Sequence, residues 1–138
     1  MRTLFPLALL GAAAACTEPA EPAGPLDVQK LPATVALAVG QSIGVSGAVI
    51  GFGGVNSDSR CARDLVCVWA GNAEIRVTIG PAVGDGPVHL VALNTTLEPH
   101  RSDETYGLLV TLVDLLPARV STQPTRNYRA VIRIERAP

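Results

Sequence analysis

The side chains best equipped for chemistry gather in DSRCARDLVCVWAGNAEIRV, residues 58–77, where two of the three cysteines and the only tryptophan fall within nine positions. Cys61 and Cys67 are six residues apart. In an oxidising compartment such a pair forms a disulfide by default. A loop this short contributes only about 2 kcal/mol in the chain-entropy model, so the purpose of the bridge would be local. A redox couple would call for Cys-x-x-Cys inside a βαβ pattern, and neither is present. A zinc site would have to combine both cysteines with His89 and His100, at a spacing that matches no finger. Asp58 is placed to accept hydrogen bonds from backbone two residues ahead and shape the turn before Cys61. Arg60 is then available to pair with Asp58 or Asp64, or to reach a ligand. Arg63, within the ring CARDLVC, could be displayed rigidly to a partner, as some protease inhibitors display a basic residue. Arg60 and Arg63 are therefore the candidate partner-binding residues.

Elsewhere the chemistry is thinner. His89 lies among apolar neighbours in PVHLVAL, as a sheet-surface histidine would. No serine stands in a Gly-x-Ser-x-Gly elbow and no Ser, His and Asp set announces itself, so no catalytic residue is assigned. GFGGV at 51–55 lacks the Lys-Ser/Thr and the helix of a phosphate loop. Glu98, Asp103 and Glu104 lack the glycine-centred spacing of a calcium loop, and no metal or cofactor is expected. Asn94-Thr95-Thr96 has the form of a sequon but is expected to stay bare.

The elements that must position these residues are short and rich in valine and isoleucine, separated by glycine, proline, asparagine or aspartate: TVALAV, SIGVS, AVIGF, VCVWAGNAEIRVTI, PVHLVAL, YGLLVTLV and NYRAVIRIE. Seven to eight such strands predict an all-β antiparallel sandwich, or a barrel-like closure of it. The strand after the cysteines is expected to run from Cys67 to Ile79, because positions 67, 69, 71, 73, 75, 77 and 79 are all apolar or small. That phase puts Trp69 beside the bridge, with Gly71 leaving room for the indole. In the last strand Tyr128, Ala130, Ile132 and Ile134 share the inner face. Residues 106–116 also fit a helical period, but their setting favours a strand buried on both faces. Asp85-Gly86 signals a two-residue hairpin between Val83 and Val88.

The amino terminus, MRTLFPLALLGAAAAC, has a basic residue, an apolar run and small residues before a cysteine, which is the build of a secretory signal peptide over residues 1–15. Cleavage could follow an Ala-x-Ala site at Ala13–Ala15, or leave Cys16 as the lipidated first residue of a bacterial lipoprotein. LLGAAAAC resembles a lipobox, with Ala13 where leucine is usual. Lipidation of Cys16 also explains the odd cysteine left by a Cys61–Cys67 bridge. Residues 16–32 follow as a Pro/Ala-rich spacer too poor in large apolar residues to fold alone. Against that, Leu26 and Val28 could form a short edge strand. Residues 33–138 make the folded domain.

Beyond Cys16 twelve acidic residues face ten basic ones, a net charge of −2 with histidine neutral. No basic stripe suits nucleic acid, and no polybasic patch suits a lipid surface.

DSRC, a short insert and CVWAGNAEIRV resemble the Asp-Ser-Arg-Cys-Pro…Cys-x-Trp-x-Gly-x-Ala pattern of small exported bacterial proteins and lipoproteins of unassigned function. The similarity runs from about Val39 to the final NYRAVIRIE. In this chain Asp58, Arg60, Cys61, Cys67, Trp69 and Gly71 carry the motif, and Ala62 stands where the pattern has proline. The resemblance implies export and a β fold, not an activity. The expectation is therefore a monomeric, non-enzymatic envelope domain, held to the membrane through Cys16. It would bind a protein, glycan or small ligand through loops at one end, or dock residues 58–67 into a partner enzyme as an inhibitor or accessory subunit.

Overall fold

A computed structural model describes residues 26–28, 30–97 and 100–138. The expected signal peptide, Cys16, the first part of the spacer and Glu98 lie outside the described residues. Within them the chain is all-β, in nine strands: β1 (Leu26–Val28), β2 (Ala33–Ala38), β3 (Ser42–Val45), β4 (Ala48–Asp58), β5 (Ala73–Pro81), β6 (His89–Asn94), β7 (Ser102–Thr105), β8 (Leu108–Leu116) and β9 (Arg129–Arg136). One sheet has the order β1-β3-β4-β5-β6 and the other β2-β9-β8-β7. All pairings are antiparallel except β1 with β3. The strand β1 falls inside the segment expected to be spacer, so the sheet begins before Ala33, with Leu26–Val28 as the edge strand.

The two sheets close on one core, because alternate residues of each turn inward. Ile43, Ile50, Phe52, Ile75, Val77 and Ile79 face Leu37, Val110, Leu112, Ala130, Ile132 and Ile134, all essentially buried. The inner face expected for the last strand is the one observed, with Tyr128 packed at its margin.

Three sequence expectations need correction. The strand expected to begin at Cys67 begins at Ala73; the six residues before it are loop. Residues 108–116 do form a strand, but only one face is buried, and Val113 and Leu116 on the other are exposed. A register shift between Leu112 and Asp114 resets the inward phase to Leu115, which is why the apolar positions mimic a helical period. The β5–β6 connection is seven residues long, and Asp85-Gly86 lies within it without making a two-residue turn.

The strand β4 carries two register shifts of its own, between Phe52 and Gly54 and between Val55 and Ser57. Residues opposite one another in a sheet share a face. The pairs Phe52–Val77, Val55–Ile75 and Asp58–Ala73 therefore place Phe52, Val55 and Asp58 on the core side, three residues apart instead of two. The inner row of β4 thus ends in a carboxylate.

Candidate functional site

That carboxylate organises one end of the sandwich. The Asp58 side chain is only 6% exposed, and a buried charge must be paired. Arg60 pairs it in a fork: Nε donates to Oδ1 and Nη2 to Oδ2, each at 2.8 Å, while the Arg60 backbone N–H donates to Oδ1 at 3.2 Å. The last of these is the turn expected from the sequence. Tyr128 completes the shell, its hydroxyl donating to Oδ2 at 3.1 Å. Burial pushes the Asp58 pKa up, but hydrogen bonds from the Arg60 side chain and backbone, the Arg60 charge and Tyr128 together hold it below the ordinary aspartate value. Arg60 is raised, first by its hydrogen bond to Asp58. Burial raises Tyr128, and the neighbouring Asp58 charge adds to that.

The guanidinium also crosses to the other sheet, donating to the carbonyls of Leu115 and Pro117. Arg60 thus donates four guanidinium hydrogen bonds inside the molecule, with its side chain 13% exposed, and serves as a strut between the sheets. Arg119 answers from the opposite side, donating to the Arg60 carbonyl, and its own carbonyl accepts from the Arg63 N–H at 3.0 Å.

The loop between β4 and β5 is cinched at several levels. Cys61 and Cys67 form the expected disulfide, with Cα atoms 5.9 Å apart. Above and below it, the Cys61 N–H donates to Ala70 at 2.8 Å and the Ser59 N–H to Asn72 at 2.7 Å. Ala62, in the place of the pattern's proline, is buried, and its carbonyl accepts from Leu65 at 3.0 Å. Asp64 reaches across to Ser121, accepting from its N–H at 2.9 Å and from its hydroxyl. These hydrogen bonds lower the Asp64 pKa.

Asn72 fixes the base of the loop to the β6 end. Its Nδ2 donates to Asn94 at 2.6 Å, and its Oδ1 accepts from Thr95 and Thr96. The sequon asparagine, Asn94, is buried in this network. Gly71 is needed here for two reasons. Its φ is +71°, and a Cβ added to it would lie 1.9 Å from the Ser59 carbonyl oxygen. The space it leaves is for backbone, not for the indole.

Trp69 is accordingly not packed on the bridge. It is 82% exposed, with Val66 and Val68 more exposed still and Leu65 about half exposed. The loop turns its apolar side chains to solvent because the core behind it is already closed by Asp58, Arg60 and Tyr128. Beside it, Arg63 and Arg126 border an open groove of about 520 Å³, also lined by Pro117, Val120, Gln123 and Pro124. Arg63 is exposed, as the sequence suggests. Sequence inspection does not single out Arg119, Arg126 or Asn72, and it offers Asp64 only as a partner of Arg60; Arg119, Asp64 and Asn72 acquire their roles through partners more than twenty residues away, and Arg126 by bordering the groove. His89 is exposed on β6, edge-on to Tyr106 with ring centroids 5.7 Å apart. With Cys61 and Cys67 joined, the two cysteines are not available to a zinc site with the histidines. Among the described residues no group of three or more metal-ligating side chains stands together.

Gly71→Ala is expected to cost at least about 3 kcal/mol, since it combines a left-handed backbone with a backbone clash, and a urea unfolding midpoint reads it. Asp58→Asn removes the charge that Arg60 needs and is expected to cost about 3 kcal/mol at pH 7. Because the folded pKa of Asp58 is depressed, its contribution is complete above the unfolded value of about 3.9 and is lost as pH falls through the lower folded value. The stability gap between wild type and variant should therefore narrow below about pH 4, and unfolding curves taken from pH 7 to pH 2 measure it. Comparison of the chain with protein-family models, with curated proteins and with solved structures returns no match.

Proposed function

We propose that this chain is a non-enzymatic binding domain of a bacterial envelope, exported and tethered through lipid on Cys16. It engages its partner with the end of the sandwich that carries the disulfide loop and the groove beside it. The observation that carries this reading is the division of labour among the arginines. Arg60 and Arg119 hold the scaffold, whereas the side chains of Arg63 and Arg126 stand at the rim of the groove and make no hydrogen bond among the described residues. The pKa shifts fit the same division: those of Asp58, Arg60 and Asp64 come from contacts that lock the loop, and that of Tyr128 comes first from its burial beside them. The disulfide suits an oxidising compartment, and the resemblance of DSRC…CVWAGNAEIRV to exported proteins points the same way.

The second reading, docking of the Asp58–Cys67 loop into a partner enzyme, is favoured by Arg63. It is presented on a ring closed by the bridge and pinned through its own N–H to Arg119, so little ordering cost would remain on binding.

Two measurements separate these readings. Intact mass of membrane-extracted chain should fit acylated Cys16 and rise by two hydrogens on reduction; an unlipidated chain removes the tether. Arg63→Ala with Arg126→Ala should leave the unfolding midpoint within about 0.5 kcal/mol of wild type while weakening capture of envelope partners at least tenfold. Equal capture removes the groove, and trypsin-like proteases left fully active by excess domain remove the inhibitor.

A further inference from the structure

We propose that the first partner of this end of the molecule is the lipid bilayer itself, met by the side chains of Leu65, Val66, Val68 and Trp69. The inference rests on the tethered-domain reading and names the surface that the tether brings within reach. These four residues lie within five positions of one constrained loop, and their exposure keeps a tryptophan and three aliphatic side chains in water. An exposed apolar cluster on a rigid loop marks an interaction surface, and tryptophan is the residue most at home at a membrane interface.

Chain direction selects the lipid over other occupants. Leu26 pairs with Ile43, which pairs with Ile50, and the parallel β1 strand then runs away from Asp58 to Val28. The β1 strand therefore has its first residue on the side of the disulfide loop. From Ile50 to Asp58 is eight residues of strand, about 26 Å. From Cys16 to Leu26 is ten residues of chain, with a reach of up to about 33 Å. A fully extended segment is thus long enough for an acyl group on Cys16 to pass the level of Asp58, at the base of the loop, without the domain having to turn over.

Charge at this end agrees. Arg63 and Arg126 line the groove and no acidic residue does, although the chain beyond Cys16 is negative overall. Of the nearby acids, Asp58 is paired with Arg60 and Asp64 is bound to Ser121. The two groove arginines stand beside the apolar loop, where lipid phosphates would lie once Trp69 entered the interface. The cluster is small, but a tethered loop does not need high affinity, because the anchor makes docking intramolecular.

Trp69 is the only tryptophan, so its fluorescence reports this loop alone. The full chain, acylated at Cys16, would be reconstituted into phosphatidylethanolamine and phosphatidylglycerol vesicles with and without brominated acyl chains. Bromolipid should quench Trp69 at least twofold and the vesicles should shield it from acrylamide. Val66→Ser with Val68→Ser, at positions whose exposure spares the fold, should remove most of both effects. A chain that floats with the vesicles yet keeps Trp69 unquenched by bromolipid and open to acrylamide overturns the docking and leaves the anchor standing. Shielding from acrylamide without bromolipid quenching, together with cross-linked dimer, assigns the loop to a second copy and equally overturns it. A chain that does not float overturns the anchor, and the docking with it.

Discussion

A carboxylate at the margin of an apolar core sets the terms for the rest of this molecule. Asp58 is turned inward by two irregularities in β4, and a charge in that position is tolerated only when fully satisfied. Arg60 satisfies it from two residues away and uses two further donors on the carbonyls of Leu115 and Pro117, at the end of β8 in the opposite sheet. Tyr128, arriving at the start of β9, supplies the last hydrogen bond. One ion pair thereby closes the core, joins the sheets and fixes the first turn of the disulfide loop. Its pairing is local, but its consequences are not.

The loop beyond it gains its shape from that closure. The bridge, the Ser59 and Cys61 hydrogen bonds, the Asp64 contact with Ser121 and the Asn72 network leave the 61–70 segment few alternatives. With nothing left behind it to fill, its apolar side chains point outward. Local rigidity and apolar exposure together are a costly arrangement for a free surface and a sensible one for a surface that meets something. A disulfide of this span adds little to global stability, so its value lies in holding that arrangement.

Much of the architecture is legible in the sequence. Period-two alternation marks Ala73–Ile79 and Ala130–Ile134, including which face is buried, and the turn residues delimit most of the other strands. The failures have identifiable causes. Small and apolar residues at 67, 69 and 71 continue the alternation of the strand, yet Gly71 adopts a left-handed conformation outside the regular strand region. Periodicity records residue type, and a loop that presents apolar residues to solvent looks the same as a strand that buries them. The Leu112/Asp114 shift likewise changes the inward phase of β8 without altering its composition.

By itself, then, the sequence determined the β class, the Cys61–Cys67 bridge, the Asp58 turn and the exposure of Arg63. All of these follow from residue type and separations of a few positions, over which the chain's own stereochemistry decides the outcome. Only tertiary structure decided that Arg60 faces inward, that Trp69 faces outward, and that Arg126 borders the same groove as Arg63. Those outcomes depend on register shifts and on contacts between residues 55 to 70 positions apart, where competition for space and for hydrogen bonds, not local preference, selects the partner.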